Sequence, residues 1–115
     1  MQNFSNATIE GFVTHDPQAK TTKTGKSLCT FALAINHYSK SDEPPRVSFI
    51  EVETWEKIAD FCSRNITKGK RIMVMGSLRQ DRWEDDKGKM QSRLKIIGNE
   101  VRFLESGKAA DEAKA

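Results

Sequence analysis

The 115-residue chain predicts an all-β domain with one short helix. Apolar residues recur at every second position in five separate stretches, the period of a strand with one buried face. One stretch, between the third and fourth of these, switches to helical spacing. A domain occupies roughly 100–200 residues, so the length supports one core. A chain of this size buries roughly two-thirds of its unfolded surface, enough for stability without a disulfide or metal.

Asn6 to Thr14 alternates, with Ile9, Gly11 and Val13 on one side and Thr8, Glu10 and Phe12 on the other. Asp16-Pro17 ends this strand, because proline donates nothing to a ladder. Gln18 to Lys26 is polar and rich in threonine and lysine, and is read as a hairpin loop around Gly25. Leu28 to Asn36 is apolar at both parities, as in a central strand covered on two sides. Ser39 to Arg46, with Pro44-Pro45, is a second loop. Val47 to Trp55 alternates again, Ile50 and Val52 inward and Phe49, Glu51, Glu53 and Trp55 outward. Ile58, Phe61, Cys62 and Asn65 then follow helical spacing, with Thr54 the expected N-cap. Lys68-Gly69-Lys70 breaks the helix. Arg71 to Arg82 places Ile72, Val74, Gly76 and Leu78 inward. Asp85-Asp86-Lys87-Gly88 is a turn. Met90 to Ile97 returns with Leu94 and Ile96 inward and continues through Val101, Phe103 and Leu104 past a bulge or bend at Gly98. Three strands, a helix and two strands are the order of the five-stranded Greek-key barrel known as the OB-fold. The domain is expected over residues 1–105. Residues 106–115, without aromatic or β-branched side chains, are expected to form a short disordered tail.

Several function classes are disfavoured. No apolar run is long enough to span a membrane, and no basic segment followed by an apolar one opens the chain as a secretion signal would. A cytoplasmic location is expected. Cys29 and Cys62 lie far apart without a CxxC pair, which argues for buried thiols rather than a disulfide scaffold or zinc ribbon. His15 and His37 have no metal-ligand spacing around them. Gly25-Lys26-Ser27 imitates the end of a phosphate loop, but Lys20 stands where the first glycine is needed, and the segment joins two strands. No nucleophile-elbow, zinc-protease or dinucleotide motif occurs. Neither catalysis nor a cofactor or metal is expected.

Binding is the better-supported class. The net charge is only +3, yet it is segregated. Pro17 to Ser41 and Phe61 to Gln80 contain no acid and nine basic residues, whereas Asp42 to Asp60 holds six acids against Arg46 and Lys57. Segregated basic stretches suit a polyanion. Phe49 and Trp55 share the outward side of one strand, Trp83 lies beside Arg79 and Arg82, and Tyr38 ends another strand. Outward aromatics interleaved with Lys and Arg are what a sequence-tolerant binder of single strands uses, stacking bases and tracking phosphates. Core filling or a subunit interface is the competing use of each aromatic.

These residues bring a family into view. Gly11 to Pro17 (GFVTHDP), Gly25 to Asn36 (GKSLCTFALAIN), Trp55 to Phe61 (WEKIADF) and Lys68 to Trp83 (KGKRIMVMGSLRQDRW) together resemble bacterial single-stranded-DNA-binding proteins. With the turn before Met90, the likeness runs from residue 6 to 105. Its most specific part is a lysine-glycine, an alternating strand, then Gly76, Leu78, Arg79 and Trp83. The resemblance implies an OB-fold, usually a homotetramer, that wraps single-stranded DNA during replication, repair and recombination. It implies base stacking on Tyr38, Phe49, Trp55 and Trp83. It assigns phosphate contacts to Lys68, Lys70, Arg79 and Arg82, and more weakly to Lys20, Lys26 and Arg93.

Three departures stand out. Glu51 and Glu53 lie among the supposed stacking residues, where they would oppose a polyanion unless paired with Arg79, Arg93 or a neighbour. The family's long Gly/Pro/Gln-rich linker is absent, and so is its acidic, hydrophobic-ended tip, which puts recruitment of replication or repair enzymes through a tail in doubt. A dimeric accessory protein of primosome type, acting mainly through protein contacts, is the alternative on the same fold. A small barrel enzyme or oligosaccharide binder finds no convergent polar site in these spacings.

Overall fold

Seven elements follow one another in the computed structural model, which describes residues 2–104. They are β1 (Ala7–Val13), β2 (Gln18–Thr21), β3 (Ser27–His37), β4 (Arg46–Trp55), α1 (Glu56–Asn65), β5 (Arg71–Glu84) and β6 (Met90–Phe103). The expected tail, 106–115, lies outside the described residues. β1 pairs with β5, β5 with β6, β6 with β4 and β4 with β3, and β3 returns to β1 through Phe12↔Ala34 and Val13↔Leu33. Five strands thus close into the expected OB barrel, with one helix packed against it. Every pairing is antiparallel except β4–β6, which runs parallel through Glu51↔Lys95, Val52↔Ile96 and Glu53↔Ile97.

The inward side of each alternating strand fills the barrel. Val13, Cys29, Phe31, Leu33, Val52, Ile72, Val74 and Ile96 form one buried cluster, joined by Ala59 and Cys62 of α1 and by Ile66 just beyond it. Cys29 and Cys62 are free and buried. Burial pushes both thiols up, that of Cys62 to about 11. At Gly76 a side chain is excluded, since a Cβ there would overlap the Ile97 carbonyl. The β5–β6 register slips beside it: Gly76 pairs with Gly98 and Met75 with Glu100, leaving Asn99 unpaired as a bulge. Of the bulge or bend expected at Gly98, the structure has the bulge.

Four local expectations are corrected. Gln18–Thr21 is a short strand, β2, along the edge of β3 rather than a loop; all four residues are exposed, so no alternation marks it. Thr54 does not cap α1. It is fully buried and its hydroxyl donates to the Cys29 carbonyl at 2.8 Å. Trp55 takes the N-cap position without a side-chain hydrogen bond, and Glu56 follows at φ 57°. Leu78 and Leu94 are 52% and 61% exposed instead of inward. β1 leaves β5 at Gly76, so the β5–β6 hairpin projects beyond the barrel and its apolar side loses the opposite layer. On β3, Cys29, Phe31 and Leu33 are buried; on the other side Leu28 is buried too, but Ala32 and Ala34 are only half-buried.

Candidate nucleic-acid interface

That half-open side of β3 continues into a four-stranded outer face. Alternation puts Phe49, Glu51, Glu53 and Trp55 on one side of β4. Their partners on β3 are Ala34, Ala32, Thr30 and Leu28. Glu51 and Glu53 lie beside Lys95 and Ile97 of β6. Across the hairpin, Lys95 faces Arg79, Arg93 faces Asp81 and Gln91 faces Trp83. Directly paired residues point the same way, so Phe49, Trp55, Trp83, Arg79 and Arg93 share one face. Small side chains on β3 leave a shallow groove along it. Gln18, Lys20, Thr30, Ala32, Phe49 and Arg93 are among its walls.

The aromatics are presented differently. Phe49 is 68% exposed and Trp83 42%. The Arg93 guanidinium lies 5.8 Å from the Trp83 ring centre. Trp55 is half-buried, and its indole N–H donates to Glu53 Oε2 at 2.7 Å. Tyr38 follows the last paired residue of β3, His37, and is 89% exposed.

Three carboxylates and three cations interlock on this face. Arg93 Nη1 meets Glu51 at 2.9 Å. Lys95 Nζ meets Glu53 at 2.8 Å and also reaches Asp81. Arg79 bridges Glu53 at 3.1 Å and Asp81 at 3.2 Å. Glu53 and Lys95 are both buried. Burial alone would raise the Glu53 pKa. Hydrogen bonds from Lys95 and Trp55 and the charges of Lys95 and Arg79 outweigh it, holding the carboxyl below its ordinary value. Burial would likewise lower Lys95, but Asp81 and Glu53 keep its ammonium above the usual value. Glu53 was expected outward, opposing a polyanion unless paired with Arg79, Arg93 or a neighbour; it is buried, and it is paired, with Arg79 and Lys95. Lys95 and Asp81 escaped the sequence reading, although Lys95 shares the parity of Arg93.

The other basic candidates frame the face rather than join the network. Lys20 of β2 lines the groove beside Glu51 and Glu53. Lys68 sits near its rim, its backbone N–H donating to Asp16, which lines the groove with His15. Lys70 instead turns to the α1–β6 side, its ammonium 5.2 Å over the Phe103 ring, which tilts against Phe61. Lys26 lies in the β2–β3 turn, held by Thr22. Arg82 is exposed on β5 at the parity opposite Trp83. Among the described residues no group of three or more His, Cys, Asp and Glu could hold a metal ion, and no helix is long and apolar enough to cross a membrane.

Chemically, the face offers flat apolar rings between cations already neutralised by carboxylates. It suits stacking on uncharged planar groups, while phosphates must either compete for Arg79 and Arg93 or meet the rim lysines. Comparisons with known proteins agree with this geometry. The chain is 36% identical over 112 residues to a single-stranded DNA-binding protein of Caldanaerobacter subterraneus subsp. tengcongensis, covering 90% of this chain and 74% of that protein. It is 34% identical to one from Treponema pallidum, covering 92% and 61%, and 36% identical to one from Synechocystis, covering 93% and 87%. The fold superimposes on a chain from a Plasmodium falciparum SSB complex with ssDNA with a TM-score of 0.81 at 22% identity, over 91% of this chain and 98% of that one. With residues 4–104 matching the profile of the Single-strand binding protein family, the chain belongs to that family.

Proposed function

We propose that this chain binds single-stranded DNA without catalysing a reaction and without strong sequence preference, serving replication, repair and recombination. The observation that carries the reading is the placement of Phe49, Trp55 and Trp83 on one open face of an OB barrel of this family. Each ring stacks a base for roughly 1–3 kcal/mol. Tyr38, exposed at the end of β3, adds a further platform. Lys20, Lys26 and Lys68 take phosphates beside the face, Arg79 and Arg93 do so by exchanging carboxylate for phosphate, and Lys70 and Arg82, which lie off the face, serve a strand that wraps past its edges. Residues 1–105 are the DNA-binding domain. The protein works in the cytoplasm at the nucleoid, as a homotetramer.

Titration with oligo(dT) at low and high salt, followed by intrinsic tryptophan fluorescence, tests the reading. Strong quenching with a stoichiometric break is the expected result. Absence of quenching at low salt removes Trp55 and Trp83 from the binding face. Sedimentation of the free protein tests the tetramer.

A further inference from the structure

Trp55 is fixed at both ends in a way Phe49 is not. Its backbone closes β4 opposite Leu28 and is followed by the left-handed step at Glu56. Its indole N–H is held by a carboxylate that two cations hold in turn. Glu53 Oε2 accepts from Trp55 at 2.7 Å while Lys95 holds Oε1 at 2.8 Å and Arg79 lies at 3.1 Å from Oε2. The Glu53 side chain is 7% exposed and that of Lys95 10%. Glu53 sits in the groove with its charge spent on three donors, Trp55, Lys95 and Arg79. A side chain ordered before binding does not lose that freedom on binding, so preorganisation raises affinity.

We infer that Glu53 is a positioning residue: anchored by Lys95 and Arg79, its carboxylate clamps the Trp55 indole in the orientation that stacks on a base. This rests on the proposal that Trp55 meets DNA. It gives the paired state that the sequence left open for Glu53 a use beyond the removal of repulsion.

A double-mutant cycle on the full chain, read by oligo(dT) affinity, tests it. Glu53→Val removes the acceptor and is expected to weaken binding about tenfold, within the range one stacked base supplies. No phosphate contact is lost and Asp81 still holds Arg79 and Lys95, so the salt slope is expected not to fall and to steepen by at most about 0.7, the share of the one guanidinium released from Glu53. Glu53→Gln keeps an oxygen for the indole N–H and is expected to recover most of the loss. In a Trp55→Phe background, which has no indole N–H, Glu53→Val is expected to cost nothing further. Additive losses, or tighter binding by Glu53→Val, overturn the inference. If Glu53→Val does not fold, hydrogen exchange of the two indole N–H groups in the unaltered protein decides. Slower exchange at Trp55 than at Trp83 supports the clamp, and equal rates overturn it. Trp55→Ala binding as tightly as the unaltered chain removes Trp55 from the DNA face and the inference with it. A loss in Trp55→Phe without one in Glu53→Val overturns the clamp alone.

Discussion

Glu51 and Glu53 are neighbours in parity but not in situation. Glu51 keeps a third of its side chain in water (32% exposed) and holds one guanidinium, Arg93, itself 59% exposed. An exposed pair of this kind is worth about 0–1 kcal/mol, so breaking it leaves the fold intact. Glu51→Gln is therefore expected to free Arg93 for phosphate, tightening oligo(dT) binding at low salt and steepening the salt slope by about 0.7. Titrations at several salt concentrations check this, and an unchanged slope means Arg93 never meets phosphate. Trp83 stands at the far end of the same chain of contacts, under Arg93. Trp83→Ala is expected to weaken binding by roughly 1–3 kcal/mol while sedimentation of the free protein stays unchanged. An unaltered affinity would make Trp83 structural. The outward aromatics were legible because large rings at solvent-facing parity violate the alternation around them. The Glu53–Lys95 pair was not, because it joins residues 42 apart in sequence through a parallel register that no local pattern records.

At the scale of elements, alternation found four of the five barrel strands because each buries one side, a run apolar at both parities marked β3, and the reading failed where burial stops. β2 has no buried side, so nothing distinguishes it from a polar loop. Leu78 and Leu94 keep the apolar rhythm of β5 and β6 into the projecting arm, where no layer covers them. Thr54 has the chemistry of a helix cap, but its hydroxyl is engaged with the Cys29 carbonyl inside the barrel. The strand-to-helix junction also carries strain, since Glu56 is the one non-glycine residue at positive φ among the described residues. A side chain there costs roughly 1–2 kcal/mol, part of which glycine returns through the greater freedom of the unfolded chain. Glu56→Gly is expected to raise stability by roughly 0.5 kcal/mol, visible as a higher urea midpoint. At Gly76 the sign is opposite. Gly76→Ala forces the bulge open and is expected to cost at least about 2 kcal/mol, measured by the same denaturation.

Across the whole molecule, charge is arranged so that folding and binding draw on the same groups. Hydrogen bonds and ion pairs hold Glu53 and Asp81 below their ordinary values of 4.5 and 3.8, and Glu10 and Asp85 move the same way. A carboxyl lowered in the fold stabilises it fully above its unfolded pKa, and that contribution disappears as pH falls through the folded value. Urea midpoints are expected to be flat from pH 7 to about 5 and to drop below about 4.5. A flat profile down to pH 3 would mean the network contributes nothing. Lys95 shifts the other way, above 10.5, so its contribution persists at neutral pH and is lost only at strongly alkaline pH. The parallel β4–β6 seam has a consequence for how the chain reaches this state. The β5–β6 hairpin needs only a tight turn at Asp85–Gly88. The seam, like the β1–β5 pairing, must join strands from distant parts of the chain, and loop closure precedes any reward from such contacts. Refolding should run on the millisecond-to-second scale of high-contact-order β proteins, with the hairpin arm formed early and the Glu53–Lys95 pair, which sits on the seam itself, among the last contacts made.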